Sequence, residues 1–247
     1  MTSLDLRNDI LTYGKAHFHF EVSGRHFAYA YIRKNACSAF KDLICDTSKQ
    51  GNFSSYAGSQ LEFMAQHHKI RSAELLQNCE ARIFVYRDPF ERVISVFVNK
   101  FVVQTGNTAI FKNYKEVTGK DPGAATFETF LKEYCRDFRK RDVHIERQSR
   151  HLLPVNYEVA LEIGNLHGHM SELIGSELAD RYFARKANSS TYGVDSSDMS
   201  RVPADELNAG YRASGELPSK AAFTRDDLVE ICKRRYALDY QLMARLT

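Results

Sequence analysis

Two apolar runs constrain this chain more than any other feature: "FAYAYI" over residues 27–32 and "ARIFVYR" over residues 81–87. Both are too continuously apolar for strands wetted on one face. They suit central strands covered on both faces, as in a mainly parallel sheet. Each run ends in cations, Arg33-Lys34 in one case and Arg87 in the other, and each leads within a few residues into helical apolar spacing. Ala36, Phe40, Leu43 and Ile44 carry that spacing after the first run, and "DPFERVISVFVNKF" carries it after the second. Strand followed at once by helix, twice, predicts an α/β protein. The expected architecture has a central mainly parallel sheet flanked by helices.

Around these runs the pattern is plainer. "HFHFEV", with Phe18, Phe20 and Val22 alternating, predicts a first strand joined to the second by a Ser23-Gly24 turn. Helices are expected from about Gln60 to Gln77, over 157–174, and along the stripe Phe127, Phe130, Leu131, Tyr134, Cys135 and Phe138. A final helix, capped by Thr224, is expected through Leu228, Ile231, Cys232, Leu242 and Met243. Residues 186–220, rich in Ser, Gly and Asp, read as a long flexible loop of the kind that serves as a lid. With that exception the chain, 1–247, reads as a single domain.

Composition narrows the function. A net charge of +3 is too mild to point to nucleic acid, yet it permits local basic patches for a small anion. The five cysteines are scattered with no CxxC, so neither a zinc site nor a disulfide framework is expected, and no other metal is called for. Reduced thiols suit a cytoplasmic location. No apolar run approaches the roughly 20 residues that span a bilayer, and "MTSLDLRNDILTYGK" lacks the apolar core of a signal peptide. No membrane anchor is therefore expected.

In parallel sheets, ligands sit outside the carboxyl ends of the strands, which is where the cations fall. A helix N-terminus offers unpaired N–H groups and the positive end of a dipole, a ready site for phosphate. Lys34 would add a full charge there and the Ser38 hydroxyl a donor, while Ala36 and Ala39 are small enough for close approach. Alone, Arg33-Lys34 could equally end a strand at the surface, and the Walker A pattern GxxxxGK[ST] is absent. In the second stretch Asp88, Pro89 and Glu91 have the order of a capped helix start. Arg87 then stands at the strand end, and Ser95, seven residues past Asp88, shares a helix face with that start. Alone, Arg87 could as well pair with a carboxylate. Together, the two cationic strand ends suit one ligand with two separate phosphate groups.

"IRKNACSAFK" resembles the 5′-phosphosulfate loop of sulfotransferases, and "VYRDPFERVISVF" resembles their 3′-phosphate motif, with Arg and Ser eight apart. The cysteine of the first motif and the wording "RDPFER" of the second are most similar to the carbohydrate, Golgi-type group (sulfotransferase family 2). "DVHIERQSRHLL", "YEVALEIGNL" and the terminal "LVEICKRRYALDYQLM" resemble further blocks of that group, so the likeness spans roughly residues 27 to 243. It implies a P-loop-like three-layer fold, 3′-phosphoadenosine 5′-phosphosulfate (PAPS) as donor, adenosine 3′,5′-bisphosphate (PAP) as product, no metal, and a glycan or other hydroxyl-bearing acceptor. By the same resemblance Arg33, Lys34, Asn35, Ala36, Cys37, Ser38 and Ala39 line the 5′ side, Lys34 also acting in catalysis, and Arg87 and Ser95 hold the 3′-phosphate. Three positions depart from the pattern: Arg33 stands where proline is common, Ala39 where a hydroxyl is common, and Ile145 where an aromatic usually follows the histidine.

Sulfuryl transfer to a hydroxyl needs a group to take the acceptor's proton, and histidine titrates nearest neutrality. The family's base commonly falls about twenty residues before the 3′-phosphate arginine, which selects His67 and His68 in "AQHHKI", with His144 as rival. Two other functions share the phosphate cradle. One is a nucleotide-dependent phosphotransferase, which would need a magnesium site. The other is a non-catalytic nucleotide-binding protein of the same fold.

Overall fold

The computed structural model describes residues 16–136, 142–184 and 197–246. Two compact units divide the chain: Met1–Arg87 with Gln148–Asn188, and Asp88–Arg147 with Ser189–Thr247.

The first unit holds the sheet. Its strands are β1 (His17–Val22), β2 (Arg25–Ala30), β3 (Ala81–Tyr86) and β4 (Val159–Glu162), in that spatial order. Strands β1 and β2 form an antiparallel hairpin in which Val22 faces Arg25. Ser23 and Gly24 turn the chain with φ of 52° and 78°, the doubly left-handed pair of a type I′ two-residue hairpin. β2 pairs with β3 in parallel, and β3 with β4 in parallel, so the expected α/β architecture with a mainly parallel sheet is present. Both faces are covered along the inner parts of these strands, which is why Phe27–Ala30 of β2 and Ile83–Tyr86 of β3 are apolar. Phe27, Tyr29, Ile83 and Val85 pack with Phe40, Leu43 and Ile44 of the Cys37–Asp46 helix and Met170 of the Leu166–Ile174 helix. On the other face Ala28 meets Ile70, Leu76, Cys79 and Leu153.

Two helical expectations fail here for one reason, the unpaired edges of the sheet. The span 60–77 is two helices, Gln60–His67 and Ala73–Gln77. Between them the backbone straightens and pairs with the outer side of β1, His19 N–H donating to His68 O at 2.7 Å and Ile70 N–H to His17 O at 2.9 Å. In the span 157–174, Val159–Glu162 is β4, and helix begins only at Leu166. Ala, Leu and Glu favour helix locally, but the exposed edge of β3 offers hydrogen bonds that local preference cannot match.

The second unit is helical. Phe97, Phe101, Phe127, Phe130, Tyr134 and Phe223 form its aromatic centre. Thr126 caps a Phe127–Lys132 helix, which gives way to a short turn at Tyr134–Arg136; Phe138 lies outside the described residues. Within the stretch expected as a loop over 186–220, Ala204–Ser214 is a helix whose Ala204, Leu207 and Asn208 are buried. Its apolar residues are too few to show a stripe, and Asn208 Nδ2 donating to Val102 O at 2.6 Å helps hold it. Residues 185–196 of that stretch lie outside the described ones. The terminal helix is two, Asp226–Arg235 and Ala237–Met243, broken at Tyr236, whose buried hydroxyl donates to Ile145 O. Thr224 does not cap it. Arg225 stands at the N-cap, and the Thr224 hydroxyl donates to Lys220 O. Among the described residues no helix is long and apolar enough to cross a membrane.

Candidate active site

β2 ends at Ala30, and its apolar character carries through the buried Tyr31 and Ile32. The chain then turns sharply. Lys34 has φ 69° and Ala36 φ 55°, with Asn35 between them on the ordinary side. Left-handed backbone costs a residue with a side chain roughly 1–3 kcal/mol, so two such residues in three need a clamp. Asn35 provides it. Fully buried, it donates from Nδ2 to Val85 O at 2.8 Å and to Gln148 Oε1 at 2.5 Å. Alternating positive and negative φ turns successive N–H groups toward one side, the form of an anion-binding concavity.

The Cys37–Asp46 helix starts directly from that concavity. Its N-cap, Ala36, supplies no side-chain hydrogen bond, and its first turn contains no acid. The open N–H groups and the dipole are therefore left for a ligand. Lys34 and Ser38 are half-buried at this end, and Arg33 lies with its guanidinium carbon 5.4 Å from the centre of the Tyr31 ring. Burial pushes the Tyr31 and Tyr29 phenols up, Tyr29 being stacked on Phe40 at 3.9 Å. Both phenols stay neutral and add no negative charge beneath the loop. The loop suits a phosphate- or sulfate-bearing group: an uncapped helix start, a backbone concavity, a lysine and a hydroxyl.

Arg87 leaves β3 at the same carboxyl edge, on the strand parallel and adjacent to β2. Its peptide lies beyond the ladder, whose last pairs are Ala30 with Phe84 on one side and Tyr86 with Glu162 on the other. The Gln148 amide takes that place. Oε1 accepts from Arg87 N–H at 3.0 Å and Nε2 donates to Arg87 O at 2.8 Å. In the second unit, Asp88 Oδ1 accepts from Glu91 N–H at 2.9 Å and Pro89 opens the helix Pro89–Phe97, as the capping order predicts. The Glu91 carboxylate accepts from Lys220. Ser95 is half-buried on that helix.

His67 and His68 are not brought to the loop. His68 pairs beside His19, which is level with Ala28 on β2, short of the strand's carboxyl end. Its Nδ1–H donates to His19 O at 2.9 Å and its Nε2 accepts from the Ser48 hydroxyl at 2.8 Å. Ser48 follows the C-terminus of the ten-residue helix whose N-terminus forms the cradle, and that helix is roughly 15 Å long. The His68 ring is buried, which holds its pKa below the usual value. It closes the outer edge of β1. His67 rests on Phe63, ring centres 4.7 Å apart, at the same distal end.

His144, in the second unit, is held differently. Its Nδ1 is hydrogen-bonded to Asp142 Oδ1, which also accepts from the His144 N–H at 2.9 Å. Asn113 Oδ1 in turn accepts from Asp142 N–H at 3.1 Å and from the Tyr134 hydroxyl at 2.6 Å. A carboxylate on Nδ1 fixes the ring so that Nε2 is the proton acceptor. Gln148, Asp142 and Asn113 carry no signal of their own in the sequence. Only the first two could have been suspected, from lying in or beside the block "DVHIERQ".

The model of the Sulfotransferase family matches residues 18–242. No curated protein and no solved structure matches the chain. The family match runs from β1 into the last helix and takes in the loop, both strand ends and the Gln148 segment. The chain belongs to the sulfotransferase family, and its chemistry is sulfuryl transfer.

Proposed function

We propose that the donor is PAPS and that the acceptor is a hydroxyl on a carbohydrate or glycan. The observation that carries the donor is the pair of cationic segments, Lys34 with its loop and Arg87, leaving adjacent parallel strands at one edge. Adjacent strands lie about 4.8 Å apart, which suits two anionic ends of one nucleotide. The donor supplies an activated sulfuryl group and leaves as PAP. The backbone of Asn35 to Ser38, with the Ser38 hydroxyl, binds the 5′ side between Arg33 and Ala39. Lys34 balances charge on the bridging oxygen, the kind of fixed electrostatic stabilisation that dominates such transfers. Arg87 binds the 3′-phosphate with planar, multi-donor geometry, and Ser95 adds a hydroxyl. His144 takes the acceptor's proton at Nε2 with Asp142 holding the ring, a role worth about 10²–10⁴ in rate. The glycan class rests on the wording of the motifs around Cys37 and "RDPFER".

Calorimetry with PAP and with ATP plus magnesium tests this reading. Binding of PAP without metal is expected. Binding of ATP with none of PAP would overturn it in favour of a phosphotransferase.

A further inference from the structure

Arg87 and the Lys34 loop belong to separate segments, and the ladder between β2 and β3 stops at Ala30 and Phe84. What spans the remaining gap is a chain of side-chain amides. Asn35 Nδ2 reaches Val85 O and Gln148 Oε1, and Gln148 closes on both the N–H and the C=O of Arg87. Gln148 is 1% exposed, and it arrives from a segment over 60 residues further along the chain. Its amide acts as a one-residue neighbouring strand, extending β3 where β4 has ended at Glu162. A side chain serving only to fill the core would need neither the paired geometry nor the link to the loop.

We infer that Gln148 is a positioning residue that sets the spacing between the 5′ and 3′ phosphate-binding segments, and so the preference for a nucleotide carrying both phosphates. This rests on the donor reading above. A ligand with two phosphates behaves as a bivalent one: the second contact adds affinity only while the spacing of the two pockets matches the ligand. Without Gln148 each pocket keeps its own groups, since Asn35 still reaches Val85 O and Arg87 keeps its side chain. What is lost is their fixed separation. An amide, or a neutral carboxylic acid, presents an acceptor and a donor side by side on separate atoms, the pairing that Arg87 N–H and Arg87 O make with Gln148.

The test compares PAP with adenosine 5′-monophosphate by calorimetry in wild type, Gln148→Ala and Gln148→Glu. In wild type PAP binds more tightly than the monophosphate. In Gln148→Ala that ratio is expected to fall about tenfold or more, while the monophosphate itself binds within about twofold of wild type. In Gln148→Glu a buried carboxylate faces Arg87 O and the ratio collapses at pH 8. As pH falls the carboxyl, its pKa raised by burial, becomes a donor, and the ratio is expected to recover toward that of wild type at the same pH. The glutamate arm decides the matter if the alanine variant does not fold. Equal losses for both nucleotides in Gln148→Ala, or a glutamate ratio indifferent to pH, would overturn the inference. A wild type that does not distinguish PAP from the monophosphate would overturn the donor assignment, and this inference with it.

Discussion

Asn35 carries the strained loop, and replacing it separates hydrogen bonding from shape. Asn35→Ala removes two bonds to buried acceptors, Val85 O and Gln148 Oε1, worth about 1 kcal/mol each net. It leaves the Val85 carbonyl short of a partner, a further cost of about 1 kcal/mol. It also removes Asn35 Oδ1, which is buried with no hydrogen-bond partner, and that returns about 1 kcal/mol. The expected loss is about 2 kcal/mol. Asn35→Asp keeps the shape but turns an acceptor toward two acceptors and buries a carboxylate, so it should cost about 4 kcal/mol or more at pH 7. Its folded pKa would be raised above the unfolded value near 3.9. The aspartate penalty is therefore smallest below about pH 4 and grows as pH rises toward the folded pKa. Urea unfolding followed by far-UV circular dichroism measures both, the chain having no tryptophan. The reasoning fails if Asn35→Asp is as stable as Asn35→Ala at pH 7, or if Asn35→Ala lies within about 0.5 kcal/mol of wild type.

Two further outcomes follow from the geometry. His144→Ala should lower turnover by about 10²–10⁴ with little change in PAP affinity, whereas His68→Ala should lower the unfolding midpoint and leave turnover per folded molecule near wild type. The reverse pattern in a sulfate-transfer assay would return the base to "AQHHKI". Glu128 accepts from Lys132, Arg201 and Arg225, which hold its carboxyl at about 2 against an ordinary 4.5. Because that pKa is depressed, its contribution is full above about pH 4.5 and is lost as pH falls toward 2. Discounted for the exposure of its partners, the contribution is about 1–2 kcal/mol. The stability difference between wild type and Glu128→Gln should shrink across that window, and a constant difference would contradict the ion-pair account.

What the sequence determined by itself is whatever short-range chemistry can specify. The Ser23-Gly24 hairpin, the apolar β2 and β3, the cationic strand ends and the Asp88-Pro89 helix start each depend on residues within a few positions of one another. Backbone sterics, capping and hydrophobic periodicity act at that range. The tertiary structure alone decided that "VALE" is a strand, that His68 to Ile70 covers the edge of β1, that Asp142 holds His144, and that Gln148 binds Arg87 and Asn35. Most of these, β4, the His68 pairing and Gln148, are hydrogen bonds between segments tens of residues apart, made because an unpaired buried N–H or C=O costs more than a local propensity is worth. For the short Asp142–His144 pair the sequence supplies both partners, and the fold decides whether they meet. The same rule relocates the histidines: nearness in sequence to the two motifs puts His67 and His68 between them, while the pairing of β1 carries both to the far end of the helix that starts at the loop.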